Sequence, residues 1–153
     1  MMDQRKYNDN CETCERTVVE LRVYSEKLTP AAMSRILGLS PTVGATKGEL
    51  LKSGSRQRLG PVNSWILSSE LKVDSKDARR HLDWLLDQLL PVADALRALG
   101  QNPQITLFVT CIWWSAFGGG GPIFWPEQLQ RLGELGLELE IDFAFFGDDS
   151  ENA

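Results

Sequence analysis

QITLFVTCIWW, residues Gln104 to Trp114, decides the fold. Its odd positions, Ile105, Leu107, Val109, Cys111 and Trp113, are all apolar, and in a strand they line one face. The even positions, Thr106, Phe108, Thr110, Ile112 and Trp114, are mixed and line the other. β-Branched and aromatic residues over this length, closed by Ser115 and the glycines Gly118 to Gly121, argue for a central strand rather than a helix. One sheet face is therefore core and the other is half-apolar.

Two further stretches alternate in the same way. Arg16 to Tyr24 sets Thr17, Val19, Leu21 and Val23 against Val18, Glu20, Arg22 and Tyr24. Leu137 to Phe146 sets Leu137, Leu139, Ile141, Phe143 and Phe145 against Glu138, Glu140, Asp142, Ala144 and Phe146. Both read as half-buried strands. Asn63 to Glu70, with Trp65 and Leu67 on one side, reads as a fourth.

Helix punctuation fills the gaps between them. Thr29 as N-cap, Pro30 at the first helical position and Gly38 as a left-handed stop predict a helix over Pro30 to Leu37 that buries Met33, Ile36 and Leu37. Asp74 or Ser75 caps a longer helix carrying Ala78, Leu82, Leu85, Leu86, Leu89 and Leu90 at helical spacing. Pro91 kinks or breaks it before Gly100 ends it. A last helix runs from Pro126 to the Gly136 cap, with Leu129, Leu132 and Leu135 inward. Ser40 to Asn63 has no steady period and reads as a long basic loop.

These elements predict an α+β chain: a two-layer sandwich with one four-stranded sheet in the order β-α-β-α-β-α-β, helices on one face, in a ferredoxin-like arrangement. The expected organisation is a polar arm over 1–15, a single domain over 16–147 and a polar tail over 148–153. At 153 residues, a chain can bury roughly 70% of its unfolded surface without a disulfide or metal.

The formal net charge of −5 weighs against nucleic acid and anionic membranes as partners, because both are bound by neutralising phosphate. No window approaches a membrane span, and the polar N-terminus lacks the pattern of a secretory signal, so the expected location is the cytoplasm. From Glu127 onward eight acids face one base, Arg131, so the C-terminal third should attract a basic partner.

Candidate chemistry is sparse. Cys11 and Cys14 have the spacing of half a zinc site, but tetrahedral zinc would need Cys111 and His81 from a central strand and a helix. The pair also precedes a strand, whereas a redox pair would open a helix. His81, the only histidine, receives no catalytic role. Gly118 to Gly121 lacks the lysine of a phosphate loop, and Pro122 and Pro126 remove donors, leaving a flexible connection as its role. The expectation is no metal, no cofactor and no catalytic residue. Phe108, Ile112, Trp114 and Trp125, ringed by Glu138, Glu140 and Asp142, instead have the make-up of a protein-binding surface: rings for buried area, charge for steering. A homodimer interface would use the same features.

The succession SEKLTPAAMSRILGLSPT, Lys47-Gly48-Glu49, Asn63-Ser-Trp65-Ile-Leu and Leu137-Glu-Leu-Glu-Ile-Asp142 resembles a bacterial family of domains of unknown function, DUF4279, over about Val18 to Phe146. The resemblance implies a compact bacterial α+β domain and brings no catalytic residue. Small acidic bacterial domains without catalytic signatures are similar in kind to immunity proteins, which neutralise toxins. That analogy implies a non-catalytic partner that occludes the basic active-site cleft of a cognate toxin. The competing expectation is a small-molecule or nucleotide-binding domain, or a weak enzyme, using the 40–63 loop through Lys47, Arg56 and Arg58.

Overall fold

A computed structural model describes residues 5–53 and 55–147. The elements in chain order are β1 (Cys14–Ser25), α1 (Pro30–Leu37), β2 (Val43–Ala45), β3 (Leu50–Ser53), β4 (Arg56–Leu59), β5 (Asn63–Ser68), α2 (Ala78–Leu89), a 3-10 turn (Leu90–Val92), α3 (Ala93–Gly100), β6 (Ile105–Ser115), α4 (Pro126–Glu134) and β7 (Leu139–Ala144). The expected tail over 148–153 lies outside the described residues.

The class is α+β, but the predicted four-stranded, ferredoxin-like sheet is wrong. Five strands form one mixed sheet in the order β2-β5-β1-β6-β7, and β3 and β4 form a separate hairpin. β1 runs antiparallel to β5 and β6, whereas β7 runs parallel to β6. The stretch that decided the fold is thus interior, yet β1 occupies the middle. The error arose between Ser40 and Asn63. β2 is three residues long, too short to show a period, and β4 is exposed throughout, so neither strand needs apolar alternation.

Local chemistry places the helices. Thr29 Oγ1 accepts the Ala32 N–H at 3.2 Å, and Gly38 stops α1 at φ 68°. α2 starts later than the sequence suggests, because its cap is Asp77, which accepts the Arg79 N–H at 3.0 Å, rather than Asp74 or Ser75. Pro91 splits α2 from α3 through the 3-10 turn. Leu82, Leu85, Leu86 and Leu89 of α2 are buried with Val19, Leu21 and Val23 of β1, Trp65 of β5, and Val109, Cys111 and Trp113 of β6. Each large side chain removed from water contributes about 1.5–3 kcal/mol. Trp65 is accommodated because its indole N–H donates to Ser34 Oγ at 2.9 Å.

Three expected inward residues turn out exposed: Ile36, Leu90 and Leu129. The same is true of Ile141, Phe143 and Phe145, which alternate like a core face. β7 is the last strand of the sheet, and α4 buries only Gln128 and Leu132 along its own length. The helical layer therefore ends before it shields the outer strand.

The N-terminal arm is irregular but anchored across the start of α2. The Tyr7 hydroxyl donates to Asp83, the Asn8 N–H to Asp77 at 2.6 Å, and Arg80 and Ser75 donate to Asp9. Ion pairing holds the Asp9 and Asp77 carboxyls below the usual carboxylate range; for Asp77 this outweighs burial, which acts the other way.

Candidate functional site

All the helices that pack on the sheet use the face of Val19, Leu21 and Val23. On the opposite face the strand register assembles rows of side chains. One row runs Val43, Ile66, Arg22 and Phe108 across β2, β5, β1 and β6. Beside it lies a polar row of Ser68, Glu20, Thr110 and Glu140. Val18, Ile112 and Asp142 follow, and Arg16, Trp114 and Ala144 close the face.

This face is organised by charge and by rings. Arg22 donates twice to Glu20, at 2.7 and 3.0 Å, and Glu20 is nearly buried. Burial alone would lower the Arg22 pKa, but the carboxylate carries it above its ordinary value. Tyr24 and Phe108 lie in tilted contact, with ring centroids 5.9 Å apart. Arg16 covers Trp114 at 4.8 Å and forms an ion pair with Glu70. Glu138, Glu140 and Asp142 are exposed, and none of the three takes part in an ion pair among the described residues. Glu140 accepts a single long bond, 3.5 Å, from Thr110 Oγ1.

The pairing of β6 with β7 therefore brings together Phe108, Ile112, Trp114, Glu140 and Asp142, with Glu138 just before β7. Trp125 stands apart. It precedes α4 on the helical side, against Tyr7, with the guanidinium groups of Arg79 and Arg5 over its ring. The feature that sequence reasoning missed is the exposed row of Ile141, Phe143 and Phe145, because alternation is identical for a covered and an uncovered edge strand.

The bases of the competing site do not converge. Lys47 pairs loosely with Glu26 at 3.8 Å, and its N–H donates to Asn63 Oδ1 at 2.7 Å. Arg56 and Arg58 share one face of the exposed β3–β4 hairpin, opposite Ser53 and Leu51.

Ser69 and His81 have the separation of a nucleophile and a base, 2.6 Å, but both are buried. His81 Nε2–H donates to the Ser75 carbonyl at 2.7 Å, so Nδ1 accepts the Ser69 hydroxyl, and Ser69 Oγ accepts the Val19 N–H at 2.9 Å. Every polar atom is satisfied and no substrate can reach the pair. Burial holds the His81 pKa below 6.5. Burial also pushes Cys14 up to about 11 and Cys111 up to about 12, so neither is an activated thiolate. Among the described residues no group of three His, Cys, Asp or Glu side chains could hold a metal, and no helix is long and apolar enough to cross a membrane.

The glycine run is a built turn rather than a flexible connection. Ser115 Oγ accepts the Gly118 N–H at 2.8 Å and donates to the Gly119 carbonyl at 2.7 Å. Gly120, at φ 81°, passes so close to Thr13 and Trp113 that a Cβ would lie 2.9–3.0 Å from them.

No curated protein and no solved structure matches the chain. A family match spans residues 13–145, so it takes in Cys14 as well as the stretch that carried the resemblance, and leaves Cys11 outside. With most of the chain covered, the protein belongs to the family described as Domain of unknown function (DUF4279).

Proposed function

We propose that the protein is a non-catalytic protein-binding domain, and that its role is that of a bacterial immunity protein acting in the cytoplasm: it occludes the basic active-site cleft of a cognate toxin. The observation that carries this reading is the register of β6 against β7. It sets Ile112 beside Asp142 and Thr110 beside Glu140 on a sheet face that no helix among the described residues covers. Partly buried Phe108, Ile112 and Trp114 supply area to desolvate, and the unpaired acids at the rim supply steering toward a basic surface.

Tagged protein captured from its own cells, washed at low and at raised salt, tests the reading. A basic polypeptide in stoichiometric amount, retained by the native chain and lost from a Glu138→Lys, Glu140→Lys, Asp142→Lys variant that unfolds at the same temperature, is the expected outcome. Equal retention by native and variant chains removes the assignment.

The second reading, recognition of a small anionic molecule, is favoured by one observation: Arg56 and Arg58 share a hairpin face beside Leu51. Arg56→Ala with Arg58→Ala would then abolish binding of a phosphate or carboxylate ligand and leave partner capture intact.

A further inference from the structure

We infer that the outer edge of β7 takes up an added β-strand from the partner, one that alternates basic and apolar residues; this rests on the protein-binding reading above and names how the partner is held.

The backbone supplies the first part of the argument. The Val109 N–H donates to the Glu138 carbonyl at 2.9 Å, and Val109 is in register with Leu139. In a parallel ladder that arrangement commits the even-numbered residues of β7 to β6, and it turns the N–H and C=O groups of Leu139, Ile141 and Phe143 to the outside. β7 ends the sheet order, and among the described residues those outward groups have no backbone partner. A row of such groups is a template for strand addition.

Side chains supply the specificity. On one side of β7 stand Glu138, Glu140 and Asp142; on the other, Ile141, Phe143 and Phe145 are each between 43% and 48% exposed. Phe145 lies against Gly118, where a Cβ would come within 3.1 Å of the ring, so the shelf continues onto the glycine turn. A strand laid along this edge presents alternate side chains to the two sides. Basic residues would meet the acids, and apolar residues would meet the shelf.

Charge also weighs against a second copy as the occupant in the registers centred among the acids. A two-fold antiparallel pairing of β7 with itself, centred on Ile141, sets Glu140 opposite Asp142. Centred on Glu140, it sets Glu138 opposite Asp142 and Glu140 opposite itself. Like charges directly opposite one another destabilise a strand pair.

The probe is a capped hexapeptide alternating Lys and Val, compared with its Glu and Val counterpart, with amide hydrogen exchange of the full chain read residue by residue. The Lys peptide should bind at least about tenfold more tightly than the Glu peptide and slow exchange at Leu139, Ile141 and Phe143. Glu140→Lys with Asp142→Lys should invert the preference. Ile141→Pro should abolish binding, because it removes an outward donor and no ladder bond to β6. Binding that shifts Phe108, Ile112 and Trp114 while those three amides stay unprotected would overturn strand addition and leave the face reading standing. No response at either place would overturn both. Protection of those amides without peptide, together with a dimer mass, would also overturn the proposal in favour of a second copy.

Discussion

Arg16 of β1 lies over Trp114 of β6, guanidinium to ring centre 4.8 Å, and the two are register partners at one end of the uncovered face. The same guanidinium is bound to Glu70, so one side chain both shields an indole and ties down the loop after β5. Arg16→Ala should lower stability by about 0.5–1 kcal/mol and raise the share of tryptophan fluorescence open to acrylamide. An unchanged quenching curve would show that the ring is shielded by something else.

Acid should weaken the fold through His81. Its folded pKa is held below the 6.5 of an exposed histidine, so between the two values the unfolded chain binds more protons than the folded one. Stability tied to this group is complete above pH 6.5 and declines as pH falls toward the folded pKa, by at most about 1.4 kcal/mol per pH unit. Urea midpoints at pH 7.5 and 5.5 measure it. In His81→Gln the difference between the two should shrink; an equal difference in both chains would place the titration elsewhere.

Leu71 is the one non-glycine residue with positive φ among those described, 64°, and it is 98% exposed. It sits in the turn closed by the Lys72 N–H on the Ser69 carbonyl. A left-handed leucine costs roughly 1–2 kcal/mol, part of which glycine returns as unfolded-state freedom. Leu71→Gly should therefore raise the urea midpoint, by up to about 1 kcal/mol in stability. A fall would mean that the leucine makes a stabilising contact.

Gly120→Ala and Gly119→Ala should differ sharply. The first forces a Cβ against Thr13 and Trp113 at positive φ and should cost about 2–4 kcal/mol. The second meets nothing within 4 Å and should stay within about 0.5 kcal/mol of the native chain. Paired thermal melts decide it, and similar losses would remove the close-approach argument.

Thiol accessibility should follow burial. Cys11 is partly exposed, whereas Cys14 and Cys111 are buried with pKa values pushed up to about 11 and about 12. An aromatic disulfide reagent at pH 8 should label Cys11 in the folded chain and reach the other two only in denaturant. Fast labelling of Cys14 in the folded state would contradict its packing.

Much of this protein is local, and local structure was legible. The α1 boundaries follow from Thr29, Pro30 and Gly38, because capping is a transaction among neighbours in the chain. Alternation in Arg16 to Tyr24 and in Gln104 to Trp114 assigned the inner strands and their core faces, since a strand's two faces are set by parity alone. The family resemblance was carried by other stretches: Ser25 to Thr42 around α1, Lys47 to Glu49, Asn63 to Leu67 and Leu137 to Asp142.

Parity does not say which strands are neighbours. That β7 pairs with β6, and so joins Glu140 and Asp142 to Ile112 and Trp114, is a long-range choice made by packing. The same choice left Ile141, Phe143 and Phe145 beyond the helices, with an apolar pattern that would have read identically under a covered strand. β2 and the β3–β4 hairpin went unseen because three or four paired residues with little buried surface write no period. Trp125 was grouped with the wrong aromatics for a similar reason: its partners, Tyr7 and Arg79, are remote in sequence. By itself the sequence determined the class, the inner strands, the α1 caps and the acidic C-terminal third, because each depends on residues a few positions apart. Only the tertiary structure decided the sheet order, the pairing of β7 with β6 and the open edge, because each depends on which distant segments exclude water together.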